Sequence, residues 1–268
     1  MMGTLVELVA PVVEPISVDQ AKAHLRVDDN DQDDVIDRLI TTAREEVEHT
    51  TRRRMISRAF DYVLDDFPYT ICIPIEPVRS VWAITYIDGA GATQTLSTSV
   101  YNVSIQNGRC EIRPKTGQVW PQIELDRLGA VTVRLFIGHA VQFTVANASD
   151  IITAEGHGLM DTGKVTVWAH SGALPDQLNE RTVYFVRDVA GDTLKLTTTS
   201  VGAAINFSTD GASGAYLFIG AVPKSMTQAM LMLISHWYEH RESVGDRQAY
   251  EIPQSAEALM MSNRLAQL

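Results

Sequence analysis

Three things are scarce in this 268-residue chain. It has only two cysteines, Cys72 and Cys110. That is too few for a disulfide framework, and a reducing compartment during folding is expected. No apolar run approaches the ~20 residues of a membrane-spanning helix, so neither a bilayer crossing nor a membrane partner is expected. The first fifteen residues lack a basic n-region, and Glu7 and Pro11 interrupt them, which is a poor match to a signal peptide. Basic residues are in deficit, 22 Lys and Arg against 33 Asp and Glu, for a net charge of −11. A chain that grips nucleic-acid phosphates usually carries a basic excess, because counterion release drives that binding. An acidic wall can still surround DNA without holding it. The rest is globular material, 45% hydrophobic and 21% charged, enough for one large core or two modest ones.

The chain changes character along its length. Residues 16–54 read as helical. Ser17 and Gln20 fit a capping box, in which each side chain satisfies a free backbone N–H. Ala21 and Leu25 share one face of the short helix that follows. The acidic run 28–34 breaks this helix and starts a second, where carboxylates favour the positive end of the helix dipole. There Ile36, Leu39, Ile40, Ala43 and Val47 form one apolar stripe, and Arg52, Arg53 and Arg54 sit at the C-terminal end. Residues 58–137 switch to strand chemistry over 60–64, 70–73, 81–87, 101–105, 110–113 and 130–137. Asp88–Gly91 and Asn107-Gly108 are hairpin turn signals.

Residues 139–220 form a second β-rich stretch, with candidate strands at 142–145, 151–154, 164–168, 183–189, 193–197, 204–207 and 215–218. Leu-Phe-Ile-Gly occurs at 135–138 and again at 217–220. An identical tetrapeptide at both borders suggests an insertion that returns the chain to where it left; the plainer alternative is a chance match of two strand ends. Residues 222–244 return to helix, with Pro223 in its first turn, Met226, Ala229, Met230, Leu233 and Trp237 at helical spacing, and Gly245 as a stop. A polar stretch leads through Pro253 to a last short helix carrying Ala258, Leu259 and Leu265.

The sharpest enzyme-like pattern is His236-Trp237-Tyr238-Glu239-His240, literally H-x-x-E-H. A catalytic zinc needs a third protein ligand and an open position. Only Glu242, Asp246, Glu251 and Glu257 follow, so a zinc hydrolase using His236 and His240 is a remote alternative to a polar helix surface. Asp29, Asp31 and Asp33 have calcium-loop spacing, but the loop's glycine position is Asp34 and its last ligand position is Ile40, which favours helix capping. His157, between Gly156 and Gly158, reads as turn geometry rather than a metal ligand. Both cysteines read as small buried hydrophobes in strands. The sequence has no nucleophile elbow, P-loop or dinucleotide glycine motif. No catalytic residue, cofactor or metal is expected.

The order of segments resembles the tailed-phage head–tail connector (adaptor) family. The likeness is carried by Pro15-Ile16-Ser17-Val18-Asp19-Gln20-Ala21 through Asp28, by Val35–Arg44, by Pro74–Val81 and Ile84–Asp88, and by Val222-Pro223-Lys224-Ser225-Met226 through Glu242. It covers roughly 15–137 and 221–265. Residues 139–220 depart from the family's pattern, and their texture looks like small β modules of phage tail proteins. The resemblance implies an α+β fold: a helical bundle from both chain ends (1–57 and 221–268), a β-domain (58–138) and an inserted all-β module (139–220). It also implies a non-enzymatic virion protein at the head–tail junction, assembled in the host cytoplasm. Copies would form a ring, twelve by the portal's symmetry, extending the DNA channel without sequence-specific contacts. The partners implied are the portal protein and the next neck or tail-completion protein. A short terminal helix cannot bury its own apolar stripe and needs a surface to order on; the resemblance assigns that surface to the portal, with Tyr250, Ile252, Pro253, Leu259 and Leu265 docking there, and the plainer alternative is that the segment packs back on its own helical bundle. Asp31 and Asp33 facing Arg52, Arg53 and Arg54 are expected at subunit contacts; the plainer alternative for the arginines is a solvated helix end. The rival reading is a decoration or surface-binding protein acting through the inserted module, with Trp168 or Tyr184 at its surface.

Overall fold

In the computed structural model the chain is mixed α+β. The structure describes residues 3–8, 10–124, 126–169, 173–180, 182–211, 217–220, 222–240 and 253–265. The chain divides into two compact units, Met1–Pro11 with Ser57–Gly138, and Val12–Ile56 with His139–Leu268.

The first unit holds two antiparallel sheets. One has the order β1 (Thr4–Glu7), β2 (Arg58–Leu64), β8 (Val131–Ile137), β4 (Val78–Ile87) and β5 (Thr93–Thr95). The other has the order β3 (Ile71–Cys72), β7 (Arg109–Pro114) and β6 (Tyr101–Gln106). Alternation decides which side chains go inward. Phe60, Tyr62 and Leu64 of β2 and Val133, Leu135 and Ile137 of β8 join Ile71, Cys110 and Ile112 of the small sheet in one buried core. The two turn signals act as read. Asp88 accepts the N–H groups of Ala90 and Ala92 and closes the β4–β5 hairpin. Asn107 and Gly108, at φ 52° and 85°, join β6 to β7, the positive-φ pair that a two-residue hairpin turn needs. Strands β1 and β5 escaped the sequence reading. Both are short edge strands with mostly exposed side chains, so neither carries a hydrophobic pattern.

The second unit contains α1 (Val18–Leu25), α2 (Asp33–Thr51), α3 (Lys224–Glu239) and α4 (Gln254–Ser262). The capping box forms as read: the Gln20 N–H donates to Ser17 Oγ (3.1 Å), and the Ser17 N–H donates to Gln20 Oε1 (3.0 Å). Ile36, Ile40, Ala43 and Val47 of α2 pack with Met226, Ala229, Met230 and Leu233 of α3 in a second core. Helix α3 is capped at His240, earlier than expected; Gly245 lies outside the described residues. The last helix presents a different face from the one expected. Ala256 and Met260 are its buried residues, and Ala258 is exposed. Burial is set by the helix's phase on α3: Leu259 packs against this core as expected, and Ala258 does not.

The remaining strands, β9 (Ala140–Ala146), β10 (Ile151–Thr153), β11 (Lys164–Ala169), β12 (Val183–Ala190), β13 (Thr193–Thr197) and β14 (Leu217–Gly220), close into a barrel of order β10-β13-β12-β11-β14-β9. Phe143, Ile152, Val165, Val167, Tyr184, Val186 and Leu196 fill it. The expected strand at 204–207 is not one of the barrel's strands, although Phe207 joins the barrel core and Ile205 packs against it. Its Ile205 N–H donates to the Leu196 carbonyl (2.8 Å), and its Phe207 N–H donates to Asp150 Oδ1 (2.8 Å). Phe207 is still buried, which explains the apolar signal. Residues 215 and 216 of the last expected strand lie outside the described residues. The two Leu-Phe-Ile-Gly copies do different work: 135–137 end β8 and 217–220 form β14. Gly220 is the register partner of Ala140, so the barrel's first and last residues are neighbours.

Candidate assembly surfaces

Helix α2 carries both charged groups expected at subunit contacts. Its 19 residues separate the ends by about 28 Å at 1.5 Å per residue. At the N-terminal end Asp31 is exposed, while Asp33 is tied to its own chain by Lys22 Nζ at 2.9 Å. Asp29 accepts the Asp31 N–H (3.2 Å), an arrangement of the turn itself. Ile40, at the calcium loop's last ligand position, is in the core. At the C-terminal end Arg52 is exposed and takes the left-handed conformation that ends the helix, at φ 56°. Arg53 donates its N–H to Thr51 Oγ1 (3.3 Å), and Arg54 Nη1 lies 3.8 Å from Glu48 Oε2. Glu48 is itself buried. It accepts the buried Met55 N–H (2.8 Å) and lies 3.5 Å from Arg44, which also pairs with Glu14 at 2.8 Å. The basic end is therefore partly an internal brace: Arg52 faces solvent, and Arg54 reaches into the buried charge network.

The C-terminal segment orders on the chain's own helices. Ala256 and Met260 are buried in the α2–α3 core, Leu259 packs beside them, and the Leu265 N–H donates to the Thr51 carbonyl (3.0 Å). The surface on which the last helix orders is supplied by α2 and α3. Pro253 is half-buried at the helix start. Tyr250 and Ile252 lie outside the described residues.

His236 and His240 have ring centroids 4.8 Å apart. His240 has left the helix, and its Nδ1 lies 2.9 Å from the His236 carbonyl oxygen. Glu257 is exposed on α4; Glu242, Asp246 and Glu251 lie outside the described residues. Among the described residues no three His, Cys, Asp or Glu side chains converge as a metal site. His157 is buried with both ring nitrogens engaged. Nδ1 accepts the Leu159 N–H (2.9 Å), which leaves Nε2–H to donate to the Gly191 carbonyl (3.0 Å). It staples two barrel loops.

Two expectations for side-chain exposure are overturned. Trp168 and Tyr184, the surface aromatics of the rival reading, are both buried. The Tyr184 hydroxyl donates to the Gln177 carbonyl (3.3 Å) and accepts the Asn179 N–H (2.8 Å). Tyr184 falls on an inward position of β12, in the barrel core, whereas Trp168 is buried on the opposite face of β11 from Val165 and Val167. Cys72 is exposed, unlike Cys110, because it pairs with Glu111 on the outer face of the small sheet, whereas Cys110 shares the inner face with Ile112. Burial pushes the Cys110 thiol up to about 12.

The sequence reading missed a loop pair on the first unit. Phe67 stacks on Trp120 with centroids 4.9 Å apart, and Trp120 Nε1 donates to the Pro68 carbonyl (2.8 Å). Further along, the Gly129 N–H donates to Asp65 Oδ1 (2.8 Å). These fastenings hold out Tyr69, Val119 and Leu128, which are 82%, 80% and 83% exposed. Isolated apolar residues in polar loops give no periodic signal, so it is the fold that sets them at the surface. On the neighbouring sheet face Arg134 and Asp61 form a two-pronged pair at 2.9 Å, and this hydrogen bonding raises the Arg134 pKa further.

No curated protein matches the chain. Solved structures do, along its whole length. A chain from the neck of an empty gene transfer agent (GTA) particle computed with C6 symmetry has a TM-score of 0.58 at 17% identity, covering 99% of this chain and 97% of that one. A chain in the virion of a native GTA particle gives 0.57 at 17% identity, with 99% and 97% covered. The neck of a native GTA particle computed with C12 symmetry gives 0.55 at 17% identity, with 100% and 97% covered. At this identity the likeness is one of fold, and its coverage runs through the barrel as well as the helices and sheets. Residues 15–88, which hold α1, α2 and β2 to β4, match the family model of the phage gp6-like head-tail connector protein.

Proposed function

We propose that this chain is a structural protein of the head–tail connector of a phage or phage-like particle, without enzymatic activity. The observation that carries this reading is the connector-family match over 15–88, with a full-length fold like that of GTA neck chains. Copies form a closed ring, twelve in number, beneath the portal protein. The ring extends the DNA channel and meets the next neck or tail-completion protein below. A heterologous interface that closes generates such a ring, and it needs two different complementary faces on one subunit. The two charged ends of α2 contribute to those faces, chiefly through Asp31 and Arg52, which the chain leaves exposed. The net charge of −11 suits a channel along which DNA slides. The portal-docking part of the C-terminal segment is 250–253 together with the outward side of α4, since its inward side is occupied.

Within this reading the domains are a helical bundle (12–56 and 221–268), a β-domain (57–138, joined by 1–11 because β1 pairs with β2) and an inserted barrel (139–220). The pairing of Ala140 with Gly220 supports the insertion, because an inserted domain needs its ends close together. The ring assembles in the host cytoplasm and stays at the head–tail junction of the virion. Deleting the gene and imaging the products by electron microscopy tests the proposal. DNA-filled heads without tails are expected, and wild-type necks should show a ring of this chain against the portal. Normal joining of heads to tails without the protein overturns it.

A further inference from the structure

The small sheet of the first unit has two unlike edges. At one edge lies β6, which among the described strands pairs only with β7. Val103 and Ile105 of β6 oppose Ile112 and Cys110, so they sit on the core-facing side of the sheet. They remain 39% and 37% exposed, because no further strand covers the core there. A free edge with open N–H and C=O groups and uncovered apolar side chains is a template for association. At the opposite edge lies β3, entered directly from the loop that carries Phe67, Pro68 and Tyr69. That loop presents Tyr69, and the segment fastened to it through Trp120 presents Val119; Leu128 is exposed beside Gly129, which is tied to Asp65.

The β6–β7 hairpin and the loop pair carry opposite net charge, the hairpin's charges lying on β7 beside the edge strand, where Arg113 pairs with Glu111 at 2.7 Å. Residues 100–115 carry Arg109, Arg113 and Lys115 against Glu111 alone. The loop pair carries Asp65, Asp66 and Glu124, with Arg127 just beyond it. An apolar centre with a rim of complementary charge is the usual anatomy of a specific protein contact. Loops already fixed by stacking and hydrogen bonds lose little entropy on docking. Opposite edges of one sheet also point in opposite directions, as head-to-tail association requires.

We propose that the β6 edge of one copy receives the 65–69 and 118–124 loop pair of the next copy, so that this sheet edge is a subunit interface. The inference rests on the ring reading above and names where neighbouring copies touch.

Cross-linking in assembled particles tests it. In a Cys72→Ser background, Tyr69→Cys and Ile105→Cys in the same chain should give a ladder of covalent multimers with a short bis-maleimide, and each single change should give none. Independently, Asp66→Lys with Glu124→Lys should lower incorporation into necks about tenfold by placing like charges together. Adding Arg109→Glu with Lys115→Glu should restore it. If the charge variants fail to fold, as read from urea midpoints of the unassembled chain, the cysteine pair decides the matter. A ring visible by electron microscopy with no ladder overturns the inference and leaves the ring reading standing. So does a Tyr69→Cys cross-link to a different neck protein. No ring of the wild-type chain overturns both.

Discussion

Glu48 holds the end of α2 to the chain that follows it, and removing it should be costly. Its side chain is buried, accepts the Met55 N–H at 2.8 Å and faces Arg44 at 3.5 Å. Glu48→Ala leaves a buried N–H without its acceptor, at about 1–3 kcal/mol. It also breaks one arm of a buried ion pair, where losing a partner outright costs about 3–5 kcal/mol. Arg44 keeps Glu14 at 2.8 Å, and Arg54 is partly solvated, so the lower end applies, about 3 kcal/mol in all. Glu48→Gln keeps an oxygen for Met55 and loses only the charge, and should cost about half as much. Urea denaturation followed by far-UV circular dichroism reads the helices, all of which lie in the same unit. With a slope of about 2 kcal/mol/M, the alanine variant should unfold roughly 1.5 M earlier. An alanine variant within 1 kcal/mol of wild type, or no worse than the glutamine one, would refute the brace.

Two further outcomes follow from the same structure. Replacing residues 140–220 by a short glycine-serine linker should leave soluble protein whose remainder unfolds cooperatively, because Ala140 and Gly220 are register partners about 5 Å apart; insoluble protein or loss of cooperative unfolding would count against the barrel as a separable module. In the native protein Cys72 should react promptly with a thiol reagent and Cys110 only on unfolding, and oxidation should give no intramolecular disulfide, since the two lie on opposite faces of one sheet; an equal labelling rate for both would contradict the placement.

By itself the sequence determined the local structure wherever one residue pattern faces one environment. The capping box at Ser17 and Gln20, the apolar stripes of α2 and α3, the turns at Asp88 and Asn107-Gly108 and most strands follow from periodicity and short-range hydrogen bonding, which act within a few residues. The segments carrying the family likeness are of this kind too. Tertiary structure decided the rest. Ala256 and Met260 face inward, with Ala258 outside, because α4 packs against α3, and the sequence does not state that helix's phase. Cys72 and Cys110 look alike in strand context, yet the register of β3 on β7 turns one outward. Tyr184 could have served a surface or a core until barrel closure placed it inside. The loops that expose Tyr69, Val119 and Leu128 are fastened by contacts spanning some fifty to sixty residues, a range over which composition and periodicity carry no information.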